Sequence, residues 1–459
     1  MIWTWVSPPY FKTQWKVTVS PLAMRAGLLA LGLYPFIFVF ATKWNIVTFI
    51  AGYSHEKLQV YHRVLSYTFV VLSFIHTVPW IIQAVHELKP HFDAMTTYQW
   101  SWHFLFKDYF WSGIAFLFAL IWLCLASLPM IRRHYYEAFK YIHILSAITV
   151  TAFFFVHCSA AIGSWRYLWT TVGIYGGGAG CRFVWMLYTN RAGIPRASFE
   201  LLHSGAVKLR VKCERRERWR PGQHYFLHFL TVMPFQSHPF TIANVSSEDN
   251  ELVVLIRQAH GITHRLGRYL SNKETNVTIP VLLDGPYGGP HHDLSIYEHV
   301  MLFAGGSGIT FIFPLLQDLV AKSRQESCVC MSIQVVWSVQ NEGSVSWMID
   351  ELQKAVEGMP TSVVNVQIHV TGAVGTLNPE SKPDKPRGYF GGPLYSRADV
   401  AGMIRTAALE NRTMGVAACG PETLLYDVRN AVADVQKGIA LGKPGYPAEV
   451  FLHAEHYSW

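Results

Sequence analysis

The stretch HRVLSYTFVVLSFIH at residues 62–76 decides how the first half of this sequence is interpreted. A second stretch, HILSAITVTAFFFVH at residues 143–157, repeats its length and both of its terminal histidines. In an α-helix, fourteen residues rise about 21 Å and bring the later side chain to within about 40° of the earlier one. Each stretch therefore predicts an apolar helix that carries two imidazoles on one face, one near each end.

The first 190 residues hold most of the apolar composition of a chain in which 51% of residues are hydrophobic and 15% are charged. A hydrocarbon core about 30 Å thick takes roughly 20 helical residues to cross. Five stretches reach that length, namely Pro21–Thr42, Tyr61–Val85, Tyr109–Met130, Phe139–Ile162 and Arg166–Thr189. We predict a transmembrane helical domain over residues 1–190.

Basic residues are found in the connections that lie on one side of the membrane if the five spans alternate. These connections contain Lys43, Lys57, Arg132, Arg133 and Arg191. Loops rich in lysine and arginine stay in the cytoplasm. The sequence therefore predicts an integral membrane protein whose C-terminal half is cytoplasmic.

The second and fourth predicted spans run in the same direction, which pairs their histidines by depth. At the cytoplasmic level His62 meets His143, and at the outer level His76 meets His157. Two facing imidazoles can bind one haem iron from opposite sides. The alternative is that these histidines are polar packing residues between helices. The repeated spacing favours haem ligation, because ionisable groups within a membrane usually have a function.

The second half of the chain changes to short β-rich runs separated by turns. Five such runs have the spacing of an antiparallel barrel: Ala206–Val211, Tyr225–Phe229, Phe240–Asn244, Leu252–Arg257 and Val277–Leu282. After residue 296, apolar strands such as Val300–Phe303 and Val364–Val370 alternate with helical stretches, which indicates a parallel sheet. We predict a β-barrel over residues 196–290 and an α/β nucleotide-binding domain over residues 296–459.

The barrel segment contains candidate residues for binding a flavin. His238, Pro239, Phe240 and Thr241 follow a short loop, and residues at such a strand edge could bond the ring and the ribityl chain. The cation Arg257, with backbone amides from Gly261 to Thr263, is the candidate for the pyrophosphate. The alternative is a turn-rich β domain with one strand arginine.

The α/β segment contains a glycine-rich turn between a strand and a helix, typical of nucleotide binding. Its residues are Gly305, Gly306, Ser307, Gly308 and Thr310. Gly285 and Pro286 precede it, and Cys419, Gly420 and Pro421 follow a later strand. A tight turn without a ligand is the alternative. The glycines from Gly173 to Gly180 lie within the fifth predicted span, where the pairs Gly173/Gly177 and Gly176/Gly180 suit helix packing instead.

Charge and cysteine content exclude two other classes. The net charge of +8 comes from scattered residues, so no nucleic-acid partner is expected. The seven cysteines form no regular framework, which argues against a disulfide scaffold.

Taken together, these motifs resemble those of the ferric reductase and NADPH oxidase superfamily, and particularly of fungal ferric-chelate reductases. The resemblance covers nearly the whole chain and rests on the two histidine pairs, His238–Thr241, Ala304–Thr310 and Cys419–Pro421. It implies a helical transmembrane haem domain followed by a ferredoxin-reductase-like module with an FAD barrel and a nucleotide-binding domain. It also implies that Cys419 lies near the site of hydride transfer and that Trp459 covers the flavin.

The resemblance implies an enzyme that passes electrons from cytoplasmic NADPH through FAD and two b-type haems to extracytoplasmic Fe(III) chelates, with Cu(II) as a second acceptor. Its partners would be an iron transporter or oxidase. Two alternatives stay open: a superoxide-generating NADPH oxidase, and a non-catalytic haem subunit. NADH also stays open, because Gly391-Gly-Pro393 lacks an arginine that the family often has there, although Arg387 or Arg397 could substitute.

Overall fold

The structure is a computed structural model that describes most of the chain. The described residues are 21–51, 53–92, 108–202, 205–213, 218–234, 236–246, 250–258, 262–271, 278–325, 327–372 and 392–456. The chain divides into two compact units, a helical one that ends at Phe183 and a second one that runs from Val184 to Ser458. Each unit is described by itself.

The first unit is built from seven α-helices among the described residues, the last of which continues past the unit boundary. They are α1 (Pro21–Ala41), α2 (Ile46–Ala51), α3 (His55–Phe92), α4 (Asp108–Ala126), α5 (Pro129–His134), α6 (Tyr136–Cys158) and α7 (Ser164–Thr189). Each predicted span overlaps one of these helices, although Tyr109–Met130 runs past the end of α4 into α5 and Phe139–Ile162 runs past the end of α6.

Three of these helices are long and apolar enough to cross a membrane on their own. The qualifying segments are Pro21–Ala41, His55–Ile82 and Tyr136–Cys158, and a shorter apolar segment covers Trp111–Ala126. This count refers to the described residues. The prediction of five spans stays a prediction.

An aromatic cluster fills the middle of the helical unit. Tyr34 on α1 packs at 5.4 Å from Phe69 on α3 and at 5.0 Å from Phe154 on α6, measured between ring centroids. Phe116 of α4 lies 4.8 Å from Phe154. The Tyr34 hydroxyl is hydrogen bonded to Thr151 at 2.7 Å, which satisfies the polar atom in this apolar interior.

Gly178 is the glycine of α7 that lies close to another segment of the helical unit. An added Cβ there would lie 2.8 Å from the carbonyl oxygen of Trp44, in the connection after α1. At Gly173, Gly176, Gly177 and Gly180, an added Cβ would meet nothing within 4 Å among the described residues. The helix packing of these four glycines stays a prediction.

The second unit begins with a six-stranded antiparallel sheet. Its strands are β1 (Arg196–Leu202), β2 (Ala206–Lys212), β3 (Gln223–Phe229), β4 (His238–Thr241), β5 (Glu251–Arg257) and β6 (Thr278–Gly288). Their order is β4-β3-β6-β1-β2-β5. A bridge between Ile242 and Val254 joins the two ends of this order, so the sheet closes into the predicted barrel. Helix α8 (Ile262–Ser271) follows β5.

The end of α7 completes one strand of the barrel. Strand β6 pairs with β1 up to Pro280, and the later backbone groups on that side have no strand among the described residues. Asn190 takes that place, since its side-chain amide donates to the Leu283 carbonyl at 2.7 Å and its Oδ1 accepts from the Leu283 N–H at 3.1 Å. The carbonyl of Gly285, two residues after Leu283 in β6, accepts from the Trp185 indole at 2.9 Å.

The rest of the second unit is a five-stranded parallel sheet with helices on both faces. Its elements are β7 (His299–Gly305), α9 (Ile309–Arg324), β8 (Ser332–Val339), α10 (Ile349–Val356), β9 (Val364–Val370), α11 (Val400–Glu410), β10 (Thr413–Gly420), α12 (Glu422–Ala440) and β11 (Glu449–His456). The strand order is β11-β10-β7-β8-β9. The chain thus moves outward from β7 in one direction and then returns to its other side, which places a topological switch point between β7 and β10.

Candidate functional site

The four intramembrane histidines form two pairs, as their spacing predicts. The ring centroids of His62 and His143 lie 6.3 Å apart, with the ring planes 65° from parallel. Those of His76 and His157 lie 6.2 Å apart, with the planes at 82°. The described residues contain no group of three or more His, Cys, Asp or Glu side chains that could hold a metal ion. Each of these sites therefore offers two protein ligands. Their binding of iron stays a prediction.

The spacing within each pair fits a metal ion held from two sides. A metal–imidazole nitrogen distance of about 2.0 Å, on both sides of one ion, separates the ring centroids by about 6.3 Å. The separations of 6.3 Å and 6.2 Å match this value. A haem would need only two protein ligands at such a site, because the porphyrin would supply the others, and each histidine pair could provide them.

Hydrogen bonds fix the orientation of three of the four rings. Nδ1 of His62 lies 3.0 Å from the Ile37 carbonyl, and Nδ1 of His76 lies 2.8 Å from the Ala23 carbonyl. A carbonyl only accepts, so in both rings Nδ1 carries the proton and Nε2 keeps its lone pair. Nδ1 of His143 lies 3.0 Å from the Oγ of Ser127. Such partners orient ligating imidazoles and make them more basic.

Two glycines make room for the outer pair. A Cβ added to Gly27 would lie 2.6 Å from the His76 ring, and one added to Gly113 would lie 2.8 Å from the His157 ring. Both distances are shorter than van der Waals contact. The position of these imidazoles therefore depends on the absence of a side chain on the neighbouring helix.

The glycine-rich turn after β7 lies against the turn after β10. Strands β7 and β10 pair in register, with Cys419 opposite Ala304. An added Cβ at Gly308 would lie 2.0 Å from the Cys419 carbonyl oxygen, and one at Gly305 would lie 2.4 Å from the Pro421 ring. The two turns thus meet at the topological switch point, the usual place for a nucleotide in a sheet of this kind.

The glycine turn is held open on its other side. Gly306 has φ of +56°, and an added Cβ there would meet nothing within 4 Å. The Trp337 indole donates to the Gly306 carbonyl at 2.9 Å, and the Thr310 hydroxyl donates to the Ser307 carbonyl at 2.9 Å. The turn leads into the N-terminus of α9, where the helix dipole favours a phosphate. Trp337 is fully buried on β8 and was not singled out by the sequence, where it is one more apolar strand residue.

The predicted flavin residues form β4, the first strand in the order of the barrel sheet. Strand β4 pairs with β3 on one side, and all four of its residues, from His238 to Thr241, are half-buried. Pro239 has no N–H to donate, which suits an edge strand. The binding of an isoalloxazine by this strand stays a prediction. The predicted strand Phe240–Asn244 was placed too late, since β4 ends at Thr241.

The predicted pyrophosphate residues lie on the neighbouring strand. Arg257 is the last residue of β5 and is exposed. The bridge between Ile242 and Val254 joins β5 to the segment that follows β4. Thr263 is the second residue of α8. Four residues named in the sequence analysis lie outside the described residues: Gly261, Arg387, Gly391 and Trp459. Arg397 is described and is exposed. Gly285 and Pro286 are joined by a cis peptide bond in β6.

Sequence reasoning missed a histidine–glutamate pair on the last strand. Nε2 of His453 lies 2.8 Å from the Glu455 carboxylate, and the His453 ring stacks on Phe311 at 5.5 Å. Glu455 is opposite Cys419 in the sheet register. No spacing or motif in the sequence marks this pair, because only the pairing of β10 with β11 brings Glu455 to Cys419.

Three family models match consecutive parts of the chain. The ferric reductase like transmembrane component matches residues 26–167, an FAD-binding domain matches residues 191–291, and the ferric reductase NAD binding domain matches residues 297–433. The chain belongs to the ferric reductase family. It is an integral membrane protein with an FAD-binding and an NAD-binding domain, which confirms the predicted fold class.

Curated fungal relatives show the same membership of the ferric reductase family. The chain is 31% identical over 389 residues to a probable cell surface ferric reductase, kap2, of Aspergillus oryzae, covering 81% of this chain and 50% of the relative. It is 30% identical to ferric/cupric reductase transmembrane component 7 of Saccharomyces cerevisiae, covering 77% and 55%. It is 25% identical to ferric reductase transmembrane component 1 of Schizosaccharomyces pombe, covering 90% and 77%. The chain therefore spans about half the length of the first two relatives.

Proposed function

We propose that the chain is a transmembrane ferric-chelate reductase that takes electrons from cytoplasmic NADPH and delivers them to extracytoplasmic Fe(III). The observation that carries the proposal is the presence of two imidazole pairs, 6.3 Å and 6.2 Å between ring centroids, in a chain with FAD- and NAD-binding domains. When bound, FAD takes a hydride from the nicotinamide and passes electrons singly to two b-type haems.

The residues of the chain have separate tasks in this proposal. His62 and His143 hold the inner haem, while His76 and His157 hold the outer one. Two sites are needed because one haem cannot bridge a hydrocarbon core about 30 Å thick. The two histidines of one helix are about 21 Å apart along its axis, so the two sites together cover most of that thickness. The tightly packed aromatic cluster between the two levels excludes water from the path.

At the other end, the two turns at the switch point hold the nicotinamide nucleotide. Gly306 and Gly308 let the pyrophosphate approach the backbone, and Cys419 lies at the edge where the nicotinamide meets the flavin. The close contact that hydride transfer needs depends on the position of this edge. NADPH is the favoured donor, and NADH is the second.

The acceptor is proposed from chemistry and from the names of the relatives. Two of these relatives are called ferric reductases and one is called a ferric/cupric reductase. Fe(III) in a chelate is therefore the first acceptor and Cu(II) the second, in the plasma membrane and in partnership with an iron transporter or oxidase.

Nicotinamide consumption under controlled gas tests the proposal against its rivals. The purified chain, loaded with haem and FAD, is given NADPH with and without ferric citrate, under nitrogen and in air. A ferric reductase oxidises NADPH under nitrogen only when ferric citrate is present. Oxidation in air alone, with superoxide formed, would identify an oxidase. Absence of FAD and of any oxidation would identify a non-catalytic haem subunit.

A further inference from the structure

The imidazole of His143 has a side-chain hydroxyl, that of Ser127, as the hydrogen-bond partner of its Nδ1. His62 and His76 face main-chain carbonyls, at 3.0 Å and 2.8 Å. His143 instead faces the Oγ of Ser127 at 3.0 Å. Ser127 directly follows Ala126, the last residue of α4, so a side chain at the end of one helix contacts a ring on α6.

The hydroxyl of Ser127 has one proton, which it donates to a main-chain carbonyl of α4. Its Oγ donates to the Leu123 carbonyl at 2.5 Å, a bond within the last turn of the helix. The oxygen therefore presents a lone pair to Nδ1 of His143, and the ring must carry its proton on Nδ1. Nε2 of His143 then keeps its lone pair, which is the atom that can bind iron.

This arrangement also increases electron donation by the ring. The bond from Ser127 to Leu123 polarises the hydroxyl oxygen and makes it a stronger acceptor for Nδ1–H. A hydrogen bond from Nδ1–H makes a ligating imidazole more basic. A more basic axial ligand stabilises the ferric state over the ferrous state and so lowers the reduction potential.

We infer that Ser127 is a positioning residue that fixes the tautomer of His143 and lowers the reduction potential of the inner haem. The inference rests on the proposed function, since it requires a haem between His62 and His143. Ser127 contacts neither the iron nor a substrate, so its effect reaches the haem through His143 alone.

Redox titration of the haem-loaded full chain tests this inference. The variants are Ser127→Ala, which removes the hydroxyl, and Ser127→Thr, which keeps it. The matched control is Ser73→Ala, because Ser73 is a buried serine of α3 whose hydroxyl bonds to the Phe69 carbonyl at 2.8 Å. The readouts are the two haem midpoint potentials, the low-spin electron paramagnetic resonance signals and the haem-to-protein ratio.

In Ser127→Ala we expect one midpoint potential to rise and the other to stay, with haem retention at the shifted site weakened by about 10–100-fold. Ser127→Thr and Ser73→Ala should match the unchanged chain. Loss of one haem in Ser127→Ala, with both haems kept in Ser127→Thr, also supports the inference.

Other outcomes overturn the inference. Unchanged potentials in Ser127→Ala, or the same loss in Ser127→Thr, would show that the hydroxyl has no such role, while the proposed function would stand. An unchanged chain that binds no low-spin haem would instead remove the proposed function, and the inference with it.

Discussion

Gly27 and Gly113 lie on different helices, α1 and α4, and each faces one imidazole of the outer pair. Protein interiors are packed closely enough that an added methyl group is felt as overpacking. These two glycines therefore define the space in which the His76 and His157 rings stand, although neither glycine can bind a metal.

We predict that Gly113→Ala disturbs the outer haem and leaves the inner one intact. The new Cβ would lie 2.8 Å from the His157 ring, so the ring must turn away from the axial position. Misorientation of this kind lowers metal affinity by about 10–100-fold. The reduced-minus-oxidised haem spectrum of the purified variant measures the loss.

The control for this prediction is Gly173→Ala. An added Cβ at Gly173 meets nothing within 4 Å among the described residues, and alanine is a better helix former than glycine. This control should keep the full haem spectrum. Equal haem content in Gly113→Ala and Gly173→Ala would contradict the steric argument.

Gly308→Ala is predicted to abolish the use of NADPH without affecting the haems. Its Cβ would lie 2.0 Å from the Cys419 carbonyl oxygen, so the two turns at the switch point must separate, at a cost of about 1–3 kcal/mol. Dithionite should still reduce the haems, while NADPH should not.

Gly306→Ala is the comparison for Gly308→Ala. It places a Cβ in open space at φ of +56°, a strain of about 1–2 kcal/mol without any collision. It should therefore keep partial NADPH-driven haem reduction. Normal NADPH-driven reduction in Gly308→Ala would show that the contact between the two turns is not needed.

Residue pairing was predictable from the sequence only where helix geometry alone decides it. The fourteen-residue spacing brings His62 to His143 and His76 to His157 once the two helices run in parallel. The partners of Nδ1 were not predictable. The Ile37 carbonyl is a main-chain group on another helix, and its contact with His62 depends on a packing that no residue type specifies.

At the level of elements, the end of α7 acts as a substitute strand for β6. The Asn190 side chain is a primary amide, so it offers one acceptor and one donor in the same arrangement as a peptide group. It bonds to both backbone groups of Leu283, a residue that is almost fully buried. The helix and the barrel strand are thereby joined within the second unit.

Asn190→Ala is predicted to weaken the barrel and its hold on FAD. It leaves the N–H and the carbonyl of Leu283 without their partners, and each such group costs about 1–3 kcal/mol when buried. We expect a lower temperature of flavin release, measured by flavin fluorescence. Thr189→Ala is the control, because its bond to the Gly285 carbonyl is long, at 3.4 Å, and Trp185 bonds to the same oxygen. Equal release temperatures for both variants would argue against the substitute strand.

An ion pair connects the start of the α/β sheet to α9. Lys322 lies 2.7 Å from both Asp293 and Asp318, and Asp293 also accepts from the Ser295 N–H at 3.0 Å. Partial burial opposes ionisation of Asp293, but the hydrogen bonds from Lys322 and Ser295 outweigh it and lower the pKa of this carboxyl below 3.8. Burial likewise opposes charge on Lys322, yet the two aspartates raise its pKa above 10.5.

The sign of these shifts gives a pH-dependent prediction for Asp293→Asn. The ion pair stabilises the fold above the unfolded pKa of about 3.9, and this contribution is lost as pH falls through the lower native pKa. Asparagine keeps the acceptor for Ser295 but loses the charge. Because Asp293 is half-exposed, the expected loss is only about 0.5–1 kcal/mol at pH 7.

Chemical denaturation between pH 2 and pH 8 measures this difference. The unchanged chain and Asp293→Asn should differ at neutral pH and converge at the acid end. Asp434→Asn is the comparison. The Asp434 carboxylate lies 3.1 Å from the Arg405 guanidinium, both side chains are mostly exposed, and exposed ion pairs contribute little to stability. A difference that persists unchanged at the acid end would rule out the ionised carboxylate as its cause.

Elements were predictable from the sequence where burial makes them uniformly apolar. The predicted strand Val364–Val370 has the bounds of β9, and the strand beginning at Val300 falls within β7, a strand whose residues are all buried. Helix α8 and strand β11 were missed. Both mix polar and apolar residues, and that mixture gives a weak local signal.

At the scale of the whole molecule, the proposed function predicts a transmembrane orientation. Under that proposal the NAD-binding domain at residues 297–433 faces the compartment that contains NADPH. The turn between α6 and α7, which follows His157, is then predicted to face the compartment of the acceptor. It is a strained turn, in which Ser159, Ala160 and Ile162 all have positive φ.

Cysteine labelling on the two faces provides the test of this orientation. Ile162 is 71% exposed in the outer turn, and Leu441 is 62% exposed after α12. With a membrane-impermeant maleimide, Ile162→Cys should gain label in intact cells over the unchanged chain, whose Cys181 is already exposed. Leu441→Cys should gain label only after permeabilisation. Replacing a β-branched residue at φ of +53° relieves strain, so Ile162→Cys should still fold. Labelling in the reverse order would place NADPH and the acceptor on the wrong sides of the membrane, and the proposed direction of electron flow would have to be abandoned.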